Sequence, residues 1–106
     1  RLRQCLRLPR MNAVKFHPDA ESEMIGAAAY YETQQRDLGR RFLASVQDAV
    51  NRILLNPHLY PVVELDVRRC LTKTFPFGVL FRERPGRIVI MAVTHLHRDP
   101  DYWKNR

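Results

Sequence analysis

No stretch of this 106-residue chain approaches the roughly 20 consecutive apolar residues that a membrane span needs. Residues 1–10 do not read as a secretory h-region either, because they alternate arginine with leucine and never build a continuous apolar segment. Cysteine is scarce. Cys5 and Cys70 form neither a CxxC motif nor a zinc-type spacing, so they read as two reduced thiols of a cytosolic protein, and nothing in the pattern argues for a bridge between them. Internal repeats and low-complexity segments are also lacking, and no motif calls for a cofactor or a bound metal. These absences exclude a membrane-spanning helix, a disulfide-stapled scaffold and a repeat array.

What is present is ordinary globular material, 45% hydrophobic and 27% charged, enough for a single domain with one core. The net charge of +7 is distributed unevenly. Residues 1–10 hold four arginines and no acid, residues 11–67 hold five basic and eight acidic residues, and residues 68–106 hold nine basic and three acidic. A basic half beside an acidic half suits a polyanion or an acidic partner, and equally a solvated arginine-rich surface. Residues 1–10 read as a basic leader, expected to be poorly ordered, and the folded domain as residues 11–106.

Met11–Phe16 reads as a short strand. His17-Pro18-Asp19 stops it and opens a helix, with Pro18 or Asp19 near the N-cap and Asp19, Glu21 and Glu23 at the positive end of the helix dipole. That helix extends to about Gln35 and sets Ala20, Met24, Ala27, Ala28 and Tyr31 on one face. Asp37-Leu38-Gly39 breaks it. A second helix, from about Leu38 to Asn56, carries the clearest amphipathic stripe: Phe42, Val46, Ala49, Val50, Ile53 and Leu54, with Arg40, Arg41, Gln47, Asp48 and Arg52 facing away. Asn56-Pro57 ends it, which completes an αα-hairpin.

After a loop from His58 to Pro61, strands are expected over Val67–Lys73, Phe75–Arg84 and Arg87–His95, the last two joined by a type II turn at Pro85-Gly86. The final strand is apolar on both faces, Ile88, Ile90 and Ala92 on one and Val89, Met91 and Val93 on the other. A strand of that kind sits mid-sheet and needs cover on each side. The helical hairpin covers one face; the other awaits a partner or the C-terminal tail.

The residues Arg69-Cys70-Leu71, then Phe75-Pro76-Phe77 leading to Leu80-Phe81-Arg82, then Ile90-Met91-Ala92-Val93 with His95, Arg98, Pro100, Tyr102, Trp103 and Arg106, occur in a telling order. In this order the chain resembles, from Met11 to Arg106, the RelE/ParE superfamily of bacterial type II toxin–antitoxin (plasmid stabilisation) modules. The resemblance implies an α+β fold, a small mainly antiparallel sheet in the order β-α-α-β-β-β with the αα-hairpin on one face. It also implies a cytoplasmic, growth-inhibiting toxin and a small acidic antitoxin that folds onto the open face. Val89, Met91 and Val93, with Arg68, Lys73 and Trp103, would form that partner surface. Without antitoxin, a homodimer would be another way to cover it.

The superfamily divides into a branch that cleaves mRNA at the ribosome and a branch that inhibits DNA gyrase without cleaving RNA. Attack by a 2′-hydroxyl needs a base, an acid and cations for the phosphorane. Arg69, Arg82, His95, Arg98 and Tyr102 are the candidates for a metal-independent endoribonuclease of this kind, with His97 and Lys73 nearby. Bland readings stand beside these. Arg98 can pair with Asp99, Tyr102 and Trp103 can simply pack the tail, and Arg68 and Arg69 point to opposite faces of their strand. His95 and His97 lack a third ligand at metal-binding spacing. Where the nuclease branch carries a lysine cluster, this chain has the acidic Val62-Val63-Glu64-Leu65-Asp66. A non-toxic nucleic-acid-binding or protein-interaction module on the same fold is the third class left open.

Overall fold

The computed structural model describes residues 13–98 and 102–106. The leader, Cys5, the start of the first strand at Met11 and the proposed Asp99 pairing lie outside them. The elements run β1 (Val14–Phe16), α1 (Pro18–Gln34), α2 (Leu38–Leu55), a 3-10 turn (Pro57–Leu59), β2 (Val62–Glu64), β3 (Val67–Leu71), β4 (Phe77–Arg84) and β5 (Arg87–His95). The five strands form one sheet in the order β1-β5-β4-β3-β2. All pairs are antiparallel except β1 with β5. The expected α+β architecture is therefore present, with one strand more than anticipated. β2 occupies part of the acidic segment and returns into β3 through a tight turn at Leu65, whose φ is 53°.

Local chemistry sets the helix boundaries. α1 is capped by His17, with Pro18 at its first position: the Asp19 N–H donates to His17 Nδ1 at 3.0 Å. At the start of α2 the Glu32 carboxylate, coming from α1, accepts the N–H groups of Asp37 and Gly39, each at 3.0 Å. An anion is thus placed on the positive end of the α2 dipole. Gly39 is required because a Cβ there would collide with the Ala28 carbonyl oxygen. The hairpin closes that tightly.

The α2 stripe of Phe42, Val46, Ala49, Val50 and Ile53 is buried against Phe77, Val79, Phe81, Ile88, Ile90 and Val93 of the sheet. Arg52 departs from the expected outward face. Its guanidinium turns to the sheet, donating to the Leu71 carbonyl at 3.0 Å and to Asp48 at 2.9 Å.

Simple alternation fails in β5. Phe81 pairs with Ile90 and Leu80 with Ala92, which leaves Met91 as an extra residue, a β-bulge. Ile88 and Ile90 face the helices as expected, but beyond the bulge the phase reverses. Val93 now joins the helix-side core, while Ala92 lies with Met91 and Val89 on the far side. That far side is not bare. Trp103 of the tail packs on Val67, Leu80, Met91 and Ala92 and is 3% exposed.

Candidate functional site

Beside Trp103, on the sheet face opposite the helices, opens a cavity of about 120 Å³. Arg69, Thr94, His95, Arg98 and Tyr102 form its polar wall, Val63, Leu80, Leu96 and Trp103 its apolar wall, and Glu64 is its acid. Strand register assembles the polar wall: Arg69 lies opposite Leu80, Gly78 opposite Thr94, and Phe77 opposite His95. Gly78 gives the Arg69 stem its bed, since a Cβ there would stand 3.1 Å from Arg69 Cδ. Leu71 and Leu96, both largely exposed, and Val63 flank the same region with apolar surface.

His95 and Arg98 are already engaged within the chain. His95 Nδ1 accepts the His97 N–H at 3.1 Å, which in the neutral imidazole puts the proton on Nε2. Its ring stands edge-on to Phe77, with centroids 5.3 Å apart. The Arg98 guanidinium lies 3.7 Å above the Tyr102 ring and its Nη1 is 3.8 Å from Glu23 Oε2. Arg106 sits 4.9 Å from the same ring centroid. Tyr102 is thereby clasped between two cations. Its hydroxyl is enclosed, directed towards Glu23 and Thr94, and completes a hydrogen bond with neither. Burial pushes the phenol above its ordinary pKa, and the Glu23 charge adds to the rise.

Glu23 and Arg106 hold this arrangement together. Arg106 donates to Glu23 at 3.0 and 2.7 Å in a two-pronged pair and to the Met91 carbonyl at 2.9 Å, while Glu23 accepts the Val93 N–H at 3.1 Å. β1 covers β5 only as far as Ile90, so these two side chains satisfy the strand edge beyond it as a neighbouring strand would. Burial pushes the Glu23 carboxyl up, but the Arg106 fork and the Val93 N–H outweigh it. The result lies below the ordinary carboxylate value.

Of the five residues singled out for proton transfer and charge, Arg69, His95, Arg98 and Tyr102 line the cavity. Arg82 does not. It pairs with Asp66 at 3.0 Å, where Arg84 binds the other carboxylate oxygen at 2.8 Å. The Arg84 hydrogen bond, then the two positive charges, hold Asp66 below its usual pKa.

The six residues read as a partner surface do not form one surface. Val93 faces the helices because of the bulge, and Met91 is buried with Trp103. Arg68 is turned to the Tyr60 carbonyl, 2.6 Å away, while Lys73 lies against α2, 3.9 Å from Asp48. Val89 is half-buried next to Trp103 and Met91. Sequence reasoning missed Glu23, which it treated as dipole charge alone. No local signal links it to an arginine 83 residues away.

Among the described residues no group of three or more His, Cys, Asp or Glu side chains could hold a metal ion. No helix among them is long and apolar enough to cross a membrane.

A family model described as the ParE toxin of the type II toxin–antitoxin system parDE matches residues 14–100. Among solved structures the chain is similar to one described as the chromosomal ParDE TA system from P. aeruginosa. The TM-score is 0.63 at 19% identity, over 84% of this chain and 100% of that one. At that identity the likeness speaks for the fold. No curated protein sequence matches significantly.

Proposed function

We propose, on the premise that the chain belongs to the ParE toxin family of type II toxin–antitoxin systems, that it arrests growth by acting on DNA gyrase. In this reading it works in the cytoplasm and is held inactive by an acidic antitoxin. The observation that carries the choice of gyrase over mRNA is the engagement of the proton-transfer groups. A nuclease needs a base and an acid free to meet the 2′-hydroxyl and the leaving oxygen. Here the Tyr102 hydroxyl is enclosed, with its pKa raised. His95 spends Nδ1 on the His97 N–H, and Arg82 is spent on Asp66. The acidic antitoxin fits the basic C-terminal half: Arg69 and Arg98 supply charge, and Val63, Leu71 and Leu96 supply exposed apolar surface beside them.

Inducible expression in bacterial cells, with mRNA 5′ ends mapped within minutes, tests this reading together with a supercoiling assay on purified gyrase. Growth arrest with intact mRNA and gyrase inhibition that survives His95→Ala are expected. New in-frame cuts abolished by His95→Ala would move the protein to the nuclease branch. No arrest at all would reduce it to a binding module.

A further inference from the structure

The outer face of α1 has no partner among the described residues and yet is not built for water. Ser22, Ile25, Gly26, Ala29, Tyr30 and Thr33 are all exposed on it, Ile25 at 57% and Tyr30 at 60%. No charged residue occurs from Met24 to Tyr31. By contrast the outer face of α2 carries Arg40, Arg41, Gln47 and Asn51. Gly26 is the anomaly. A mid-helix glycine destabilises its helix relative to alanine. Gly39 is explained by the contact between the two helices, but a Cβ at Gly26 would meet nothing within 4 Å. Nothing among the described residues accounts for it.

We infer that α1 is the interface of a homodimer, packed antiparallel on α1 of a second copy about a two-fold axis between Ala27 and Ala28. The commitment to a second copy rests on self-complementarity, which an isologous contact demands and an unrelated partner does not. That axis sets Gly26 against the partner's Ala29, where the missing side chain lets the backbones approach. It sets Ile25 on the partner's Tyr30 and Ser22 on the partner's Thr33. Asp19, which also lies 3.6 Å from Arg106 Nε, and Arg36, just past the end of α1, are both exposed at opposite ends of the stripe, so each comes near the other's opposite charge across the axis. Antiparallel helix dipoles favour the same arrangement. With 17 residues, α1 is about 25 Å long. A single helix contact of that length falls at the low end of interface sizes, so the dimer is weak and reversible. The cavity lies on the other side of the sheet and stays open in both copies. The inference does not depend on the toxin reading.

Sedimentation velocity of the full chain over a micromolar concentration series, without any partner protein, tests it. A reversible monomer–dimer equilibrium is expected. Gly26→Gln, present twice in each dimer, should weaken it roughly tenfold or more without lowering the thermal midpoint. Arg36→Glu should weaken it and remove its salt dependence, whereas Leu55→Gln on the exposed side of α2 should leave it unchanged. A chain that stays monomeric throughout would overturn the inference. So would a dimer indifferent to Gly26→Gln in a folded variant, which would point to the sheet face or the β2 edge.

Discussion

Replacing Arg106 by alanine removes the only cation among the described residues that is bonded to both oxygens of Glu23, and its cost can be worked from the contacts. Two charge-assisted bonds, at 3.0 and 2.7 Å, and the bond to the Met91 carbonyl at 2.9 Å disappear together. The side chains are 11% and 14% exposed, so the freed carboxylate regains some water but not all. Breaking a fully buried pair from one side costs about 3–5 kcal/mol; partial rehydration brings Arg106→Ala to about 2–3 kcal/mol. In a domain of this size that lowers the thermal midpoint by about 10–20 °C. Glu23→Gln keeps an acceptor for the Val93 N–H and should cost about 1–2 kcal/mol. Because both changes break one interaction, the double variant should fall short of their sum by about 1 kcal/mol or more. The assay is built in. Trp103, the sole tryptophan, is buried in the tail that Arg106 pins. Urea unfolding followed by tryptophan emission and by far-ultraviolet circular dichroism should coincide in the wild type. In Arg106→Ala the emission change should come first as the tail detaches. A loss below about 0.5 kcal/mol with coincident transitions would refute the reasoning, since that is no more than an exposed ion pair is worth.

The two glycines of the helical hairpin should respond with opposite signs in thermal melts at low protein concentration. Gly39→Ala should destabilise by about 1–3 kcal/mol through overpacking, because its Cβ runs into the Ala28 carbonyl. Gly26→Ala should stabilise the monomer by about 0.5–1 kcal/mol. The Glu23 pKa is depressed by folding, so its stabilisation is complete above the unfolded value near 4.5 and is lost as pH falls through the lower folded value. An acid titration of stability should therefore be flatter in Glu23→Gln than in the wild type, and an unchanged acid limb would sink this assignment. Arg69→Ala should leave the thermal midpoint nearly unchanged, because the residue is exposed, and weaken capture of an acidic antitoxin roughly tenfold in a pull-down titration.

Helical segments were the most legible part of the chain. Five of the six α2 stripe residues are buried and Leu54 is partly so, because 3.6-residue periodicity leaves little choice of face once one side is apolar. β5 was legible as a strand but not in phase. Ile88 to Val93 is apolar throughout, so nothing in the sequence marks Met91 as the inserted residue, and the bulge shows only when β4 is laid beside it. β2 was missed because Val62–Glu64 is brief and its pairing depends on a left-handed Leu65. Cavity residues were found by resemblance to a family, since Arg69 and His95 meet only through the register of two strand pairs. The arginine contacts were the least legible. Arg52, Arg68, Arg82 and Arg106 are long side chains whose acceptors lie on other elements, and a formal charge does not say which way such a side chain turns.

The bond between Glu23 and Arg106 also has a meaning in time. It joins residues 83 apart, while the helical hairpin and the β4–β5 hairpin close over short loops. Contacts that bridge so much chain are the costliest in loop entropy and form after the local ones. The Glu23–Arg106 bond therefore closes after the two hairpins it spans, and it pins the tail that carries Trp103 over Leu80, Met91 and Ala92. An interaction absent from the folding transition state leaves the folding rate alone and acts on the rate of unfolding. Arg106 in this sense is a timer: it governs how long the assembled molecule lasts, and how often its second face is briefly open to another chain.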